Sequence, residues 1–93
     1  MKKKIPEGET IRFRLTPAER TLVRDETFYD PDFANLAECE GNAFVVPLTL
    51  LEIDELLGYV AAAANHCVDK KLLAKLDRFY DKLQSCLDKY EEI

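Results

Sequence analysis

The chain is predicted to be α+β, with a small antiparallel sheet of two or three strands and a short helix packed on a long C-terminal antiparallel helical hairpin. Three observations carry this. Apolar residues recur at steps of three and four from Leu50 to Ile93, they alternate with polar residues from Thr10 to Leu15, and Gly41 and Asn42 separate two short apolar-rich runs.

The hairpin organises the rest. Thr49 followed by Glu52 is the capping-box pattern that satisfies two of the orphan donors at a helix start. From Leu50 the stripe runs through Ile53, Leu57, Val60, Ala64 and Cys67, with Leu56 and Ala63 widening it. Gly58 and Ala62, one turn apart, are expected to admit a neighbouring backbone at short range, and Asn65 to end the helix with a left-handed cap. Asp69 then caps a second helix whose stripe is Leu72, Leu76, Phe79, Leu83, Cys86, Tyr90 and Ile93, with Leu73, Tyr80 and Leu87 beside it.

Only residues 65–68 separate the two, so they pair antiparallel. At a rise of about 1.5 Å per residue the first spans roughly 24 Å and the second roughly 35 Å, which leaves Leu83, Cys86, Leu87, Tyr90 and Ile93 overhanging. Either the sheet or a second copy of the chain must cover them.

Upstream, residues 1–9 read as a mobile start containing three lysines, and residues 10–48 as a strand, a helix and a hairpin. Ile11, Phe13 and Leu15 share one side of the first strand, and Arg12 and Arg14 the other. Thr16, Pro17 and Glu19 start a helix from Pro17 to about Glu26. Residues 27–35 combine Asp30, Pro31, Asp32 and Asn35 with Phe28, Tyr29 and Phe33 in a turn with aromatic plugs. The offsets of a calcium loop are not met there. Residues 36–40 and 43–48 form the hairpin, with Phe44 and Val46 facing inward and Pro47 marking an edge or a strand terminus.

The 93 residues make one domain of ordinary globular composition, 47% apolar and 33% charged. No apolar run has the length of a membrane span and no signal-peptide core follows Met1, so a cytoplasmic protein is expected. Cys39, Cys67 and Cys86 fit reduced, structural thiols.

Net charge is −5, unevenly spread. Residues 1–24 hold seven basic and three acidic groups, residues 25–66 nine acidic and no basic, and residues 67–93 six of each. The acidic block, with Asp54 and Glu55, is where a charge-driven partner is expected.

Candidate chemistry is sparse. His66 beside Cys67 offers a nucleophile and base, or metal ligands with Cys39 and Cys86, but neighbours on a helix end diverge by about 100° and no CxxC spacing exists. The carboxylate pairs, Asp77 with Asp81 among them, fit solvated faces better than a cleft. Arg12, Arg14, Arg20 and Arg24 could line a nucleic-acid surface, against which stand the low pI and the acid-only middle. Arg12 and Arg14 meeting the acidic block, within the chain or between copies, fits the charge pattern better. The expected function is a non-catalytic protein-interaction or accessory module, needing no cofactor or metal, with another protein or itself as partner. Asp54, Glu55, Arg12, Arg14, Leu83, Leu87 and Tyr90 are its candidate contact residues.

Overall fold

The computed structural model describes residues 2–27, 29 and 37–92. In chain order it has β1 (Lys3–Ile5), β2 (Ile11–Leu15), α1 (Pro17–Glu26), β3 (Glu38–Glu40), β4 (Ala43–Leu48), α2 (Leu50–Asn65), α3 (Lys70–Lys89) and β5 (Tyr90–Glu92). The fold is α+β. An antiparallel sheet of order β2-β4-β3 and the short α1 pack on the pair α2 and α3, and β1 pairs with β5 apart from that sheet.

The helix starts follow from local chemistry. Thr16 Oγ1 accepts the Glu19 N–H at 3.1 Å while Glu19 Oε1 accepts the Thr16 N–H at 2.8 Å, and Thr49 with Glu52 repeats the arrangement at 3.1 and 3.0 Å. Asp69 accepts from the N–H groups of Lys71 and Leu72. Between α2 and α3 the expected left-handed Asn65 is not found. No non-glycine residue has positive φ among the described residues, and His66 caps α2 at φ −102°, ψ 0°. The Cys67 N–H bonds to the Ala64 carbonyl at 3.2 Å, closing a right-handed turn that has no need of the left-handed region.

In the hairpin Gly41 takes φ +62° and Asn42 does not become positive, the distribution of a II′-type turn. β4 is the central strand and Pro47 lies next to its end. β3 pairs with β4 only as far as Val45, so among the described residues Pro47 has no strand partner on that side. The turn expected over residues 27–35 falls largely outside the described residues, though Tyr29 rests edge-on against Tyr59 of α2 with ring centroids 5.5 Å apart.

Phe13, Leu15, Val46 and Leu48 of the sheet's inner face, Leu22 and Val23 of α1, Ile53, Leu56 and Val60 of α2, and Leu76, Phe79 and Leu83 of α3 form one buried cluster. Full burial of a Leu or Phe side chain contributes about 1.5–3 kcal/mol before entropy is counted. Phe13 and Phe79 meet edge to face at 6.3 Å, joining sheet to final helix. Ile11 and Phe44, expected inward, are half-buried.

The stripe on α2 centres on Leu56, which is fully buried, with Leu57 at its margin. This rotation turns Gly58 and Ala62 outward. Among the described residues nothing lies within 4 Å of where a Cβ on Gly58 would sit, so no backbone approaches there.

Both chain ends differ from expectation. Residues 3–5 are not a loose tail: β1 runs parallel to β5, with Lys4 opposite Glu91, and Ile5 is buried. Tyr90 turns extended at φ −127°, ψ 152°, so α3 ends at Lys89 instead of running on to the C-terminus. The 20-residue α3 still outruns the 16-residue α2, but the sheet and the β1–β5 pair cover its end. Leu83 is completely buried, which removes it from the contact residues, and Leu87 and Tyr90 are half-buried against the same core. Ile93 lies outside the described residues.

Candidate functional site

His66 is exposed at the end of α2, and the Cys67 thiol donates to the Asp69 carbonyl at 3.2 Å. They border a cavity of about 730 Å³ between α2 and α3, walled by Ala62, Ala63, Leu72 and Leu76 with Glu26 and Asp69 at its polar side, and no hydrogen bond joins His66 to Cys67. Cys39 stands on β3 and Cys86 on α3, and among the described residues no three His, Cys, Asp or Glu side chains gather as metal ligands do. Asp30, Asp32 and Asn35 lie outside the described residues.

Among the described residues, Asp25, Glu40 and Glu52, three of the nine carboxylates of the acidic block, are engaged within the chain. Glu52 caps α2, and Glu40 meets Arg12 at 2.6 Å and Arg14 at 3.7 Å on the outer face of the sheet. Asp25 meets Arg24 at 2.9 Å, and the hydrogen bond from that guanidinium holds the Asp25 carboxyl below its usual range. Asp54 and Glu55 stand exposed on α2, and Asp77 and Asp81 on α3.

The four arginines separate. Arg12 and Arg14 share the outer sheet face, Arg20 lies 4.7 Å over the ring of Phe44 on the inner face, and Arg24 holds Asp25. The nucleic-acid surface, the less favoured alternative that would have needed all four together, is not assembled from these placements.

A different cationic surface is. Among the described residues β2 has β4 on one side and no strand on the other. Along that free edge two cavities of about 390 and 420 Å³ share Ile11, Arg12 and Tyr90, forming one groove. Its cations are Lys3, Lys4, Arg12, Arg14, Lys82 and Lys89, with Glu9 the single carboxylate on its walls among the described residues. Ile11, Phe13, Cys86 and Tyr90 supply apolar surface. Burial pushes the Cys86 thiol up, against the lowering influence of Lys89 and Lys82.

Lys82 sits at the groove's inner end. Its ammonium donates to the Arg14 carbonyl at 2.6 Å and to Glu19 Oε1 at 2.7 Å, and lies 5.3 Å from the centre of the Phe13 ring.

Arg12, Arg14 and Tyr90 were singled out from sequence; Lys3, Lys4, Lys82 and Lys89 were not. A weak signal existed in Lys82 and Lys89, seven residues apart on the flank of the α3 stripe. Lys3 and Lys4 join them only through the pairing of the chain's two ends, which no local pattern announces. No protein-family model matches this chain, and no curated protein or solved structure is significantly similar to it.

Proposed function

We propose that this chain is a small non-catalytic protein-interaction module whose working surface is the groove along β2. The observation that carries the reading is six cations along one groove with an apolar floor, still in excess over Glu9 on its walls and over Glu19 and Glu40, which pair with Lys82 and with Arg12 and Arg14, on a chain of net charge −5. Such a local excess steers an anionic partner and fixes its register, while the apolar floor adds affinity. Three free cysteines suit a reducing, cytoplasmic setting. The partner is an acidic protein segment.

The test is titration of the intact chain with polyglutamate and polylysine at low and moderate salt. Polyglutamate binds, weakens with salt, and loses most of its affinity for the Lys4→Glu/Lys89→Glu double variant. If that variant binds polyglutamate as well as the parent does, the reading is abandoned.

A second reading keeps the acidic block as the partner face. It is favoured by Leu51, 63% exposed beside Asp54 and Glu55 on α2. Polylysine binding that vanishes in Asp54→Lys/Glu55→Lys would support it.

A further inference from the structure

We infer that the groove accepts its acidic partner as an added β-strand, paired with β2 on the side opposite β4. The inference rests on the interaction-module reading and adds the partner's backbone conformation and side-chain pattern.

The register of the sheet orients the edge. Arg12 stands opposite Pro47. Proline has no N–H, so the two cannot exchange both bonds of a hydrogen-bonded pair, and their backbone groups point away from each other. Such pairs alternate along an antiparallel ladder, which makes Arg14 with Val45 the same kind. The N–H and C=O of Arg12 and Arg14 therefore point into the groove.

An independent contact agrees: Lys82, reaching from α3, donates to the Arg14 carbonyl. That contact also marks where the docking strand stops. The next backbone donor toward α1, the Thr16 N–H, is taken by Glu19. The open stretch ends at the Arg14 N–H and includes both polar groups of Arg12. Unpaired strand edges of this kind are templates for a further strand.

Side-chain pattern follows from the alternation of faces. A strand beside β2 places every second side chain on the outer face, next to Arg12 and Arg14, and the others toward Ile11, Phe13 and Tyr90. The fitting segment alternates acidic and apolar residues. Glu40 meets the two arginines in the free protein, but their side chains stay 72% and 63% exposed, and ion pairs this open exchange readily for a partner's carboxylates.

The probe is a fluorescein-labelled octapeptide of alternating Glu and Val, read by anisotropy on the intact chain. Two twins carry N-methyl groups, one at every Glu and the other at every Val. The expected result is that the parent binds, one twin loses about tenfold or more, and the other does not, because only one set of amides faces β2. Arg12→Glu weakens the parent peptide by a similar factor, and on binding the Arg12 amide becomes protected from hydrogen exchange.

If both twins bind like the parent and the Arg12 amide stays unprotected, strand addition is overturned while the groove remains a docking surface for acidic chains. If neither the octapeptide nor polyglutamate binds, both readings fall. Tighter binding of an eight-nucleotide single-stranded DNA than of the peptide also overturns the inference, since such a ligand has no backbone amides to pair with β2.

Discussion

Lys82 Nζ and Glu19 Oε1 lie 2.7 Å apart, and the same carboxylate oxygen accepts the Thr16 N–H at 2.8 Å. The cap of α1 is thereby tied to α3 across a sequence separation of 63 residues. Both side chains are partly shielded, at 37% and 20% exposure, so this contact outweighs an open surface pair. Lys82→Met is expected to cost about 1–2 kcal/mol, since it leaves both Glu19 and the Arg14 carbonyl short of a donor. Glu19→Gln, which still accepts the Thr16 N–H, costs less. A double-mutant cycle by urea denaturation should return a coupling of about 1 kcal/mol; additive effects would show that the contact does not tie the two helices.

Gly58→Ala should stabilise the chain by about 1 kcal/mol. Gly58 lies inside α2 without positive φ, and open space surrounds its would-be Cβ among the described residues. The measurement is the shift in thermal midpoint. A loss of stability would mean that some segment does pack against this side of the helix.

How far the sequence could be read depended on how local the determining interaction was. Thr16 with Glu19, Thr49 with Glu52, and Asp69 act within one helical turn, and all three helix starts were legible. Gly41 and Asn42 marked the hairpin for the same reason. Leu56 against Leu57 was not resolved, because both belong to a broad stripe and the choice of centre is made by the packing of α3 and the sheet. Val45 shows the same limit. It is buried on the outer sheet face, opposite Arg14 in β2 and Glu38 in β3, where a strict alternation predicts exposure. The groove needed still more distant information, the pairing of β1 with β5, together with the register that turns β2's edge toward α3.

Leu83 and Leu51 offer a direct test of core against surface. Leu83 has no exposure and Leu51 has 63%. Leu83→Ala is expected to cost about 2–5 kcal/mol and Leu51→Ala less than about 0.5 kcal/mol, compared by urea midpoints. If Leu83 were instead an intermolecular contact, its substitution would leave the monomer's stability unchanged and alter sedimentation behaviour.

Thiol reactivity should rank the cysteines. Cys39 is exposed on the edge strand β3, whereas Cys86 is half-buried and its thiol is pushed up by desolvation. At pH 8, close to the usual thiol value of about 8.5, less of Cys86 is thiolate, so iodoacetamide followed by mass mapping should label Cys39 well before Cys86. The linkage has a definite sign. Because folding raises this pKa, the unfolded chain releases the proton first, and the stabilising contribution declines as pH rises past the unfolded value. Between about pH 7 and pH 9.5 the parent should lose more stability than Cys86→Ala does, and an equal loss in both would remove the assignment.

The pairing of the chain's two ends makes the last prediction. Ile5 is 7% exposed and belongs to the core cluster, Lys4 stands opposite Glu91, and β1 forms one wall of the groove while Tyr90 of β5 forms part of its floor. Opposite charges directly across a strand pair contribute a few tenths of a kcal/mol up to about 1, so the apolar burial of Ile5 stabilises the pairing more than the Lys4–Glu91 attraction does. Ile5→Ala should therefore destabilise by about 2 kcal/mol, the lower part of the range for a buried isoleucine because the site is close to the surface and can collapse. Lys4→Ala should cost under about 1 kcal/mol in stability yet weaken polyglutamate binding, since it removes a groove cation without emptying the core. Hydrogen exchange separates this from a tail that only rests on the protein. In the parent those amides of residues 3–5 that face β5 are protected, and in Ile5→Ala those of residues 90–92 that face β1 lose protection together with them, because each strand is the other's partner. Protection at 90–92 that survives Ile5→Ala would detach β1 from β5 and open the groove at that wall.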